Sequence, residues 1–395
     1  MHEPELYAPS SGRHATEYPL PGNAGHPGNP GILYTGLSSM GSVCHGHTQV
    51  TGKDHQVKRK AILIGLGRIG WSLEQDRLRY HPCTHAGSVL AHSGCELVAV
   101  CDTDPDQVQR FLRWWPGKPR VFLDSKDLFN AIRKADSDEL KKNRFADLAI
   151  VATPQDVHTS QCIELLRLGI EDVLIEKPPG ETRADMNRLE KAMSSSHSRL
   201  WINFERRYHP GYRKVKQFLD SARFGQVRSV RGRVYSGASP LHPGSGPLLH
   251  DAVHWLDLML WFFGDPMKMA GKLIRDKHGL ERSSSLQFLY PGFVANLVTG
   301  ARSRYFEFEM EIDFDQARIQ CGNSGFKLWK AKRSKRYSGF QELQDQSFSV
   351  PEGNPWKEMY KTIVAAQRQP EKYHRQATIQ GLDTVRLVHK AYKSL

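Results

Sequence analysis

The segment from Ala61 to Gly70 constrains the possible folds of this 395-residue chain more strongly than any other part of its sequence. A short apolar run leads directly into a GxGxxG sequence, Gly65-Leu66-Gly67-Arg68-Ile69-Gly70. In a strand–turn–helix unit the first glycine permits a tight turn, the second lets the backbone approach a pyrophosphate, and the third lets helix and strand pack closely. The free N–H groups of the helix N-terminus favour the anion. We therefore predict that Gly65, Gly67, Arg68, Ile69 and Gly70 bind a dinucleotide; the alternative is that the glycines form only a tight turn.

Four more short apolar runs follow along the chain. They are Glu96 to Asp102, Ala146 to Pro154, Asp172 to Pro178 and Arg199 to Phe204. Runs of about five consecutive apolar residues are typical of parallel strands that are buried on both faces. Helix-like stretches separate them, such as residues 155–169 with their closing glycine. This alternation predicts a doubly wound parallel sheet, so we assign residues 59–205 to an α/β domain of the Rossmann type.

The alternation of strand and helix stops near residue 205. The following segments read as a helix (211–220), a strand (226–236), one long apolar helix (248–264), several partly alternating strands and two closing helices. Partial alternation is typical of an antiparallel sheet with one solvated face. We predict that residues 206–395 form a second α/β domain with a large, mostly antiparallel open sheet.

Residues 1–58 differ from the rest of the chain. They are rich in Gly and Pro and poor in aliphatic residues, so we predict a disordered tail. Its first residues resemble no signal peptide, and no apolar run in the chain reaches the ~18 residues that cross a bilayer.

The six cysteines of the chain are scattered, with no CxxC pair. This pattern favours a cytoplasmic protein and predicts neither a disulfide framework nor a zinc site.

The net charge of +13 raises the question of a nucleic-acid partner. Residues 1–58 carry a net charge of −1, so the remaining residues carry +14. The densest positive run extends from Lys327 to Arg336, and Arg228, Arg231 and Arg233 add to it. No helix-turn-helix, zinc finger or stacking motif accompanies this charge, so we predict no nucleic-acid binding. We interpret the run as a solvated strand end and loop; the alternative is an anionic substrate or partner.

The second apolar run ends in Asp102, which is well placed to accept a hydrogen bond from a ribose 2′-hydroxyl. Asp102-Thr103-Asp104 offers acids and no arginine, which favours NAD(H) over NADP(H). The spacing from Gly70 exceeds the usual ~20 residues. We interpret the excess, Asp76 to Gly87, as a loop inserted before the helix resumes at Ser88. Its His81 and His85 either line the substrate pocket or are solvated.

Lys177 ends the fourth apolar run, in the tripeptide Glu176-Lys177-Pro178. Ligands of open parallel sheets bind at the carboxyl ends of the strands, so Lys177 should face the cofactor site. A lysine there can donate a hydrogen bond to a substrate oxygen and stabilise the negative charge that develops in hydride transfer. We therefore predict that Lys177 is a catalytic residue.

His250, His254 and Asp257 fall at positions i, i+4 and i+7 of the predicted long helix and therefore share one face. They are polar groups on an otherwise apolar helix, and buried polar groups need partners. We interpret His254 as the general acid/base and His250 as a substrate or proton-relay contact. The alternatives are hydrogen-bonded core histidines, or a zinc pair for which no third ligand suggests itself.

With these features in this order, the sequence resembles the glucose-fructose oxidoreductase, inositol dehydrogenase and MocA (Gfo/Idh/MocA) family over residues 59–395. The resemblance implies a Rossmann domain joined to an α/β domain whose open sheet mediates oligomer contacts. It also implies NAD(P)-dependent oxidation or reduction of sugars, cyclitols and related carbonyl compounds. We therefore expect an enzyme with a small-molecule substrate, no membrane partner and a homo-oligomeric state.

The resemblance also implies roles for individual residues. Lys177 matches the family's catalytic lysine and His254 its acid/base histidine. Residues 152–158 look like a TPxxxH stretch near the nicotinamide, and residues 204–212 look like the domain junction. Many members have Asp four residues before the acid/base histidine, where this chain has His250; this departure concerns the substrate class more than the reaction type. The further expected cofactor contacts are Thr153, Pro154, His158 and Glu176, and the candidate substrate contacts are Arg207, Tyr208, Asp251 and Asp257.

These observations together predict an NAD(H)-dependent oxidoreductase. Hydride would pass between the nicotinamide and the hydroxyl or carbonyl carbon of a sugar, cyclitol or related small molecule. The alternative from another functional class is a sensor or regulator that keeps the fold and the dinucleotide site without turnover.

Overall fold

The computed structural model describes residues 58–136, 144–240, 244–368 and 370–395 of the chain. Within these ranges only the backbone is described for residues 136 and 370–380. The predicted disordered tail, with the exception of Lys58, lies outside the described residues, as does Cys44. No described helix is long and apolar enough to cross a membrane.

The first half of the described chain forms a parallel sheet. Its strands are β1 (Arg59–Ile64), β2 (Cys95–Cys101), β3 (Arg120–Phe122), β4 (Leu148–Val151), β5 (Asp172–Ile175) and β6 (Arg199–Ile202), and the intervening helices are α1 (His85–Ala91), α2 (Pro105–Trp114), α3 (Ser125–Asp136), α4 (Gln155–Arg167) and α5 (Arg183–Ser194). The strand order is β3-β2-β1-β4-β5-β6, and all described neighbours are parallel. Every residue of β4, β5 and β6 is buried, as their apolar runs predict. The predicted doubly wound sheet is thus confirmed.

The strand order reverses at β1, which lies between β2 and β4. In open α/β sheets ligands bind outside the carboxyl ends of the strands at such a reversal. The residues that follow β1, β2, β4, β5 and β6 therefore meet along one edge of the sheet, and this edge carries most of the predicted site residues.

The helix expected after the GxGxxG turn is interrupted. A 3-10 helix covers Ser72–Gln75, and α1 begins only at His85. The N–H groups of His85 and Ala86 donate to the carbonyl oxygens of Ile69 and Gly70, at 3.1 and 2.9 Å. In a continuous helix the residues at positions 73 and 74 would make these bonds. A segment of twelve residues is thus looped out of the helix, which accounts for the long spacing between Gly70 and Asp102.

The helix resumes earlier than the sequence predicts, at His85 rather than Ser88. Thr84 caps its N-terminus, because the Thr84 hydroxyl accepts a hydrogen bond from the Gly87 N–H at 3.0 Å. A threonine in this position satisfies one of the free N–H groups of the first turn. The inserted loop therefore ends on a defined cap, and the His85 side chain is directed inward, where it is 0% exposed.

The second half contains an eight-stranded sheet. Its strands are β7 (Val227–Tyr235), β8 (Lys268–Arg275), β9 (Glu281–Tyr290), β10 (Phe293–Gly300), β11 (Glu307–Phe314), β12 (Ala317–Gly322), β13 (Gly325–Arg333) and β14 (Gln341–Gln346). Their order is β14-β13-β12-β11-β7-β10-β9-β8. Among the described pairs of this eight-stranded sheet, only β7–β10 is parallel. The predicted mostly antiparallel open sheet is therefore confirmed.

Three helices accompany this sheet: α6 (Pro210–Asp220), α7 (Pro247–His250) and α8 (Val253–Phe263). Trp255 of α8 packs on the sheet, where its ring fills the space beside Gly232 and its indole N–H donates to the Glu309 carbonyl at 3.2 Å. A side chain at Gly232 would overlap this ring. The apolar face of α8 is thus buried against the sheet, which leaves the opposite side of the helix for the first domain.

The prediction of one long helix over residues 248–264 is wrong, because the helix breaks after His250. The N–H groups of Asp251 and Ala252 both donate to the Pro247 carbonyl, which widens the turn. The His254 N–H then donates to Asp251 rather than to His250. His250 and His254 consequently lie on two different helices, and the carbonyl oxygen of His250 is released from the helical hydrogen-bond ladder.

The last two helices, α9 (Pro355–Ala366) and α10 (Pro370–Ser394), return to the parallel sheet. Met359, Tyr360 and Ile363 of α9 join an apolar cluster with residues of β1, β2 and β4. Leu382, Val385 and Val388 of α10 belong to a core that extends from the parallel sheet into the eight-stranded sheet. The domain boundary expected at residue 205 falls just after β6. The chain after this boundary forms the second sheet and then packs α9 and α10 against the first.

Candidate active site

The GxGxxG turn has the backbone geometry that a dinucleotide needs. Gly65 has a φ of 94°, and a side chain there would overlap the carbonyl of Ala152. A side chain at Gly70 would overlap the Gly65 carbonyl, which keeps the turn close to the strand. A side chain at Gly67, by contrast, would extend into open space. These observations fit the three roles of the glycines, with Gly67 facing the space that a pyrophosphate would use.

Asp102 lies beside this turn at the end of β2. Its Oδ2 accepts a hydrogen bond from the Leu66 N–H at 2.6 Å, and its Oδ1 accepts one from the Asp104 N–H at 2.9 Å. The carboxylate thus ties β2 to the glycine turn that follows β1. This position brings the acid to the cofactor end of the sheet, as the sequence predicts.

The residues after β4 form the other wall of the crevice. Thr153 donates from its hydroxyl to Gln161 at 2.7 Å, and Pro154 precedes α4. His158 is 2% exposed, and its two ring nitrogens face the carbonyl oxygens of Pro178 (3.0 Å) and Thr153 (2.5 Å). His158 therefore links the turn after β4 to the turn after β5, and it supports the cofactor wall from behind.

Lys177 follows β5 and reaches toward the second domain. Its Nζ donates to the carbonyl oxygen of His250 at 2.5 Å, the oxygen that the helix break releases. A lysine ammonium has three donors, so this bond orients the side chain and leaves others for a ligand. The imidazole Nε2 of His250 lies 2.8 Å from the Ser245 hydroxyl. The structure thus brings His250 to Lys177 through its backbone.

His254 lies near the same lysine, on the first turn of α8. Its ring packs edge-on against Phe204 with 5.7 Å between the centroids. Its Nδ1 is buried and has no hydrogen-bond partner among the described residues. Glu205 Oε2 is 3.6 Å from this nitrogen, too far for a hydrogen bond but close enough to meet it after a small movement.

The electrostatics of this pair favour a neutral imidazole. Burial, and then the positive charges of Lys177 and Arg206, hold the pKa of His254 well below its usual value. Burial also raises the pKa of Glu205, although Arg206 opposes the shift. A neutral histidine beside an ammonium group can accept a proton from a hydroxyl that the ammonium binds.

This pKa shift predicts a loss of stability in acid. The unfolded state binds a proton on His254 near pH 6.5, whereas the folded state resists it, so the free energy of unfolding falls as the pH drops below ~6.5. Each pH unit in this window costs up to about 1.4 kcal/mol. Urea unfolding at pH 7.5 and 5.5 should therefore show a smaller loss for His254→Asn than for the wild type. The exposed His278→Asn is the control, and an equal loss in all three proteins would contradict the assignment.

Glu176 belongs to a buried network that the sequence analysis did not anticipate. Its Oε1 accepts hydrogen bonds from His85 Nε2 at 2.8 Å and from the Asn203 amide, and His85 Nδ1 lies 2.9 Å from the Tyr360 hydroxyl. Burial alone would raise the pKa of Glu176, but the contacts with His85, Asn203 and Lys177 outweigh it and lower the pKa. The Glu176 carboxylate thus binds His85 and Asn203, and these hydrogen bonds anchor the strand end that carries Lys177.

The sequence left open whether the histidines of the inserted loop line the substrate pocket or are solvated. His85 does neither. This residue is buried against Trp356 and connects α1, β5 and α9. The position of Glu205, three residues after β6, could have been predicted from the carboxyl-end rule. The contact between His85 and Tyr360 could not, because 275 residues separate them.

The structure separates the four candidate substrate contacts. Arg207 and Asp257 form a bidentate ion pair, with distances of 2.6 and 2.5 Å, and Thr384 also donates to Asp257 at 3.2 Å. Asp257 is 1% exposed, so this pair holds the segment after β6 against α8 and does not face a ligand. Tyr208 packs beside Arg213. Asp251, at the helix break, has a buried Oδ2 without a hydrogen-bond partner among the described residues.

The basic residues of the second sheet are largely compensated. Arg228 pairs with Asp315, Arg231 with Glu311 and Asp313, and Arg233 with Glu307 across the strands. The run from Lys327 to Arg336 lies along β13 and the turn after it. This placement matches the interpretation as a strand end and loop.

A parallel sheet with a GxGxxG turn at its strand-order reversal defines an NAD(P)-binding Rossmann domain. Comparison with known families agrees with this class. A family model described as "Oxidoreductase family, NAD-binding Rossmann fold" matches residues 59–204, and the model of the GFO/IDH/MocA C-terminal domain matches residues 212–320. The chain belongs to the Gfo/Idh/MocA oxidoreductase family, as the resemblance implied.

Several known proteins are similar to this chain. Inositol 2-dehydrogenase of Salmonella typhimurium is 29% identical over 211 residues, which are 53% of this chain and 56% of that protein. The chain thus spans about half the length of this curated relative. The WlbA dehydrogenase of Bordetella pertussis, solved with NADH and UDP-GlcNAcA, has a TM-score of 0.63 at 20% identity, over 85% of this chain and 96% of that one. A dehydrogenase of Chromobacterium violaceum has a TM-score of 0.66 at 18% identity, over 85% and 94%.

Proposed function

We propose that this protein is an NAD(H)-dependent oxidoreductase that acts on the hydroxyl or carbonyl carbon of a sugar, cyclitol or related polyol. The observation that carries the proposal is the hydrogen bond from Lys177, at the carboxyl edge of the parallel sheet, to the carbonyl of His250, four residues before His254. Lys177 comes from the first domain and His254 from the second, and the charge of Lys177 lowers the pKa of His254. A fixed ammonium group and a neutral imidazole together form an acid–base pair for a hydroxyl group.

In the proposed reaction, Lys177 binds the substrate oxygen with a donor that the His250 carbonyl does not use. His254 accepts the hydroxyl proton during oxidation and returns it during reduction. Lys177 stabilises the negative charge on the oxygen as the proton leaves. Glu205 Oε2 lies 3.6 Å from His254 Nδ1, so a small movement would bring the two groups within reach for proton exchange. The bound nicotinamide supplies the hydride chemistry.

The cofactor would bind along the carboxyl edge of the sheet. Gly65, Gly67, Arg68, Ile69 and Gly70 would hold the pyrophosphate, and Asp102 would accept a hydrogen bond from the ribose. A carboxylate at this position repels a 2′-phosphate, which supports NAD(H) over NADP(H). Thr153, Pro154 and the wall that His158 supports would lie beside the nicotinamide.

The position of Asp251 supports the proposal that the substrate carries several hydroxyl groups. Its buried Oδ2 lacks a partner among the described residues and lies in the residue next to the carbonyl that binds Lys177. A buried carboxylate oxygen gains most from a donor such as a sugar hydroxyl. The names of the relatives agree with this class, since they include inositol dehydrogenases and a dehydrogenase bound to a nucleotide sugar.

We also infer a homo-oligomer that forms through the eight-stranded sheet. Ile274 of β8, Leu289 of β9 and Leu343 of β14 are apolar yet 52%, 42% and 43% exposed. These side chains lie toward the two opposite edges of the sheet, where a partner at either edge would remove apolar surface from water.

The proposed function is tested with the purified full chain and a panel of polyols, sugar acids and aldehydes. Oxidation with NAD⁺, or reduction with NADH, should change the absorbance of the nicotinamide band for at least one compound. Activity with NADP(H) should be lower. Thermal melting with each cofactor reports binding separately, because a ligand raises the melting midpoint by mass action. Raised melting with NADH but no turnover of any compound would favour the sensor, and no shift with either cofactor would overturn the dinucleotide site.

A further inference from the structure

The looped-out segment contains three potential metal ligands that converge. They are Glu74, at the end of the 3-10 helix, and His81 and Cys83 in the loop before α1. The side chains of Glu74 and His81 are 10% and 36% exposed, and Cys83 is 8% exposed. The cluster is therefore mostly enclosed, with the imidazole on its solvent side. The sequence spacing alone did not predict a metal site, because the cysteines form no pairs.

The three side chains lie near the spacing of a tetrahedral site: one ligand atom from each lies within 4.8 Å of the others, and different oxygens of Glu74 face His81 and Cys83. Glu74 Oε1 is 3.0 Å from His81 Nδ1, and Cys83 Sγ is 3.7 Å from the same nitrogen and 3.8 Å from Glu74 Oε2. A tetrahedral zinc ion has bonds of about 2.0–2.3 Å, which places its ligand atoms roughly 3.3–3.6 Å apart. The cluster thus needs only small shifts to bind an ion of this size.

Neighbouring groups hold the side chains of the cluster in place. His81 Nε2 lies 3.0 Å from the Asp76 carbonyl oxygen and His81 Nδ1 lies 3.0 Å from Glu74 Oε1, and both oxygens can only accept. When a metal takes the Nδ1 lone pair, Nε2–H can donate to the Asp76 carbonyl and hold the ring in place. Glu74 Oε2 accepts hydrogen bonds from the Thr84 hydroxyl at 2.6 Å and the Cys83 N–H at 3.1 Å. Such outer contacts to a histidine and a carboxylate are typical of metal sites, where they fix the ligands.

The chain packs closely around the cluster. A side chain at Gly87 would overlap the Glu74 carboxylate and displace it from its present position. Asn354, at the start of α9, donates from its amide to the Pro82 carbonyl at 3.0 Å. The loop is thus held from both sides.

We propose that Glu74, His81 and Cys83 bind one divalent transition-metal ion of the zinc type, with solvent as the fourth ligand. The mixture of thiolate, imidazole and carboxylate suits Zn²⁺ rather than Mg²⁺ or Ca²⁺, which prefer oxygen ligands. Binding replaces the thiol proton of Cys83 with the metal, and the proton passes to water. The metal closes the looped-out segment just before His85, the residue that contacts Glu176, and so stabilises the strand end that carries Lys177.

The test uses the full chain, treated with a chelator, dialysed and titrated with Co²⁺. We expect one equivalent to bind with a thiolate-to-cobalt charge-transfer absorption, and Zn²⁺ should displace it. Cys83→Ser should abolish this absorption, and His81→Ala, at a half-exposed position, should weaken Co²⁺ binding at least about a hundredfold. Zn²⁺ should also raise the melting midpoint of the wild type but not of Cys83→Ser.

Cys95→Ser is the matched control, because Cys95 is also buried but lies outside the cluster. It should keep the absorption of the wild type. Cys44, His45 and His47 of the N-terminal segment can also bind cobalt through a thiolate, so every protein in this experiment carries Cys44→Ser as well. Absence of the band in the wild type, or a band that persists in Cys83→Ser, would overturn the proposal. These readouts do not depend on turnover, so they remain decisive if the proposed oxidoreductase activity fails.

Discussion

Replacing Lys177 with alanine is expected to lower kcat about a thousandfold while the protein keeps its fold and its affinity for NADH. Among the described residues, only Lys177 places a positive charge at the end of β5 and in contact with the His250 carbonyl. Its removal deprives the substrate oxygen of the donor that stabilises developing negative charge. The pKa of His254 should also rise toward its usual value, because Lys177 is one cause of its depression.

Steady-state rates with the best substrate of the panel, together with NADH binding by fluorescence, measure both parts of this expectation. Lys191→Ala is the matched control, since Lys191 lies exposed on α5 and should leave kcat unchanged. Rates that stay within a few-fold of the wild type in Lys177→Ala would show that the lysine takes no part in the chemistry.

Replacing Asp172 with alanine is expected to lower the free energy of unfolding by about 3–5 kcal/mol. Asp172 begins β5 and is 0% exposed. It accepts hydrogen bonds from Arg59 at 2.5 Å, from Arg199 at 2.7 Å and from the Trp201 indole at 2.7 Å. Both arginines are also buried, so the substitution leaves two cations without their main partner.

Urea unfolding monitored by circular dichroism measures this loss. Glu190→Ala provides a contrast, because its ion pair with Arg386 is 55% and 32% exposed and should contribute less than about 1 kcal/mol. If Asp172→Ala lost no more stability than Glu190→Ala, the buried ion cluster would not be the anchor of this sheet.

These two variants concern opposite ends of one strand. Asp172 stands at the amino end of β5, and Lys177 follows its carboxyl end. One variant should reduce stability and the other should reduce turnover, so each serves as a control for the other. Residues at the carboxyl ends of such strands form ligand sites, whereas residues at the amino ends only hold the sheet together.

The sequence predicts the framework of this protein well because its central strands are buried on both faces. β4 and β5 are runs of apolar residues whose burial follows from composition alone. β14, with the sequence QELQDQ, has no apolar run, and only its pairing with β13 makes it a strand. The short β3 is likewise partly exposed and gives no pattern.

The candidate site likewise contains features that the local sequence predicts and features that depend on the completed fold. Lys177 and the GxGxxG turn could be placed from the carboxyl-end rule. The helix breaks after His250 because the Ala252 N–H donates to the Pro247 carbonyl, and no local sequence pattern predicts this hydrogen bond. The network of Glu176, His85 and Tyr360 joins three distant segments, so it exists only after the fold has formed.

The return of α9 and α10 to the parallel sheet has a consequence for synthesis on the ribosome. The strands and glycine turn that would bind the dinucleotide precede α9 and α10 in the chain and are therefore synthesised before them. Domains usually fold as their residues emerge. Here the apolar faces that meet Tyr360, Ile363 and Val385 stay uncovered until α9 and α10 have been synthesised. The nascent parallel sheet therefore exposes part of its apolar surface until these two helices have emerged.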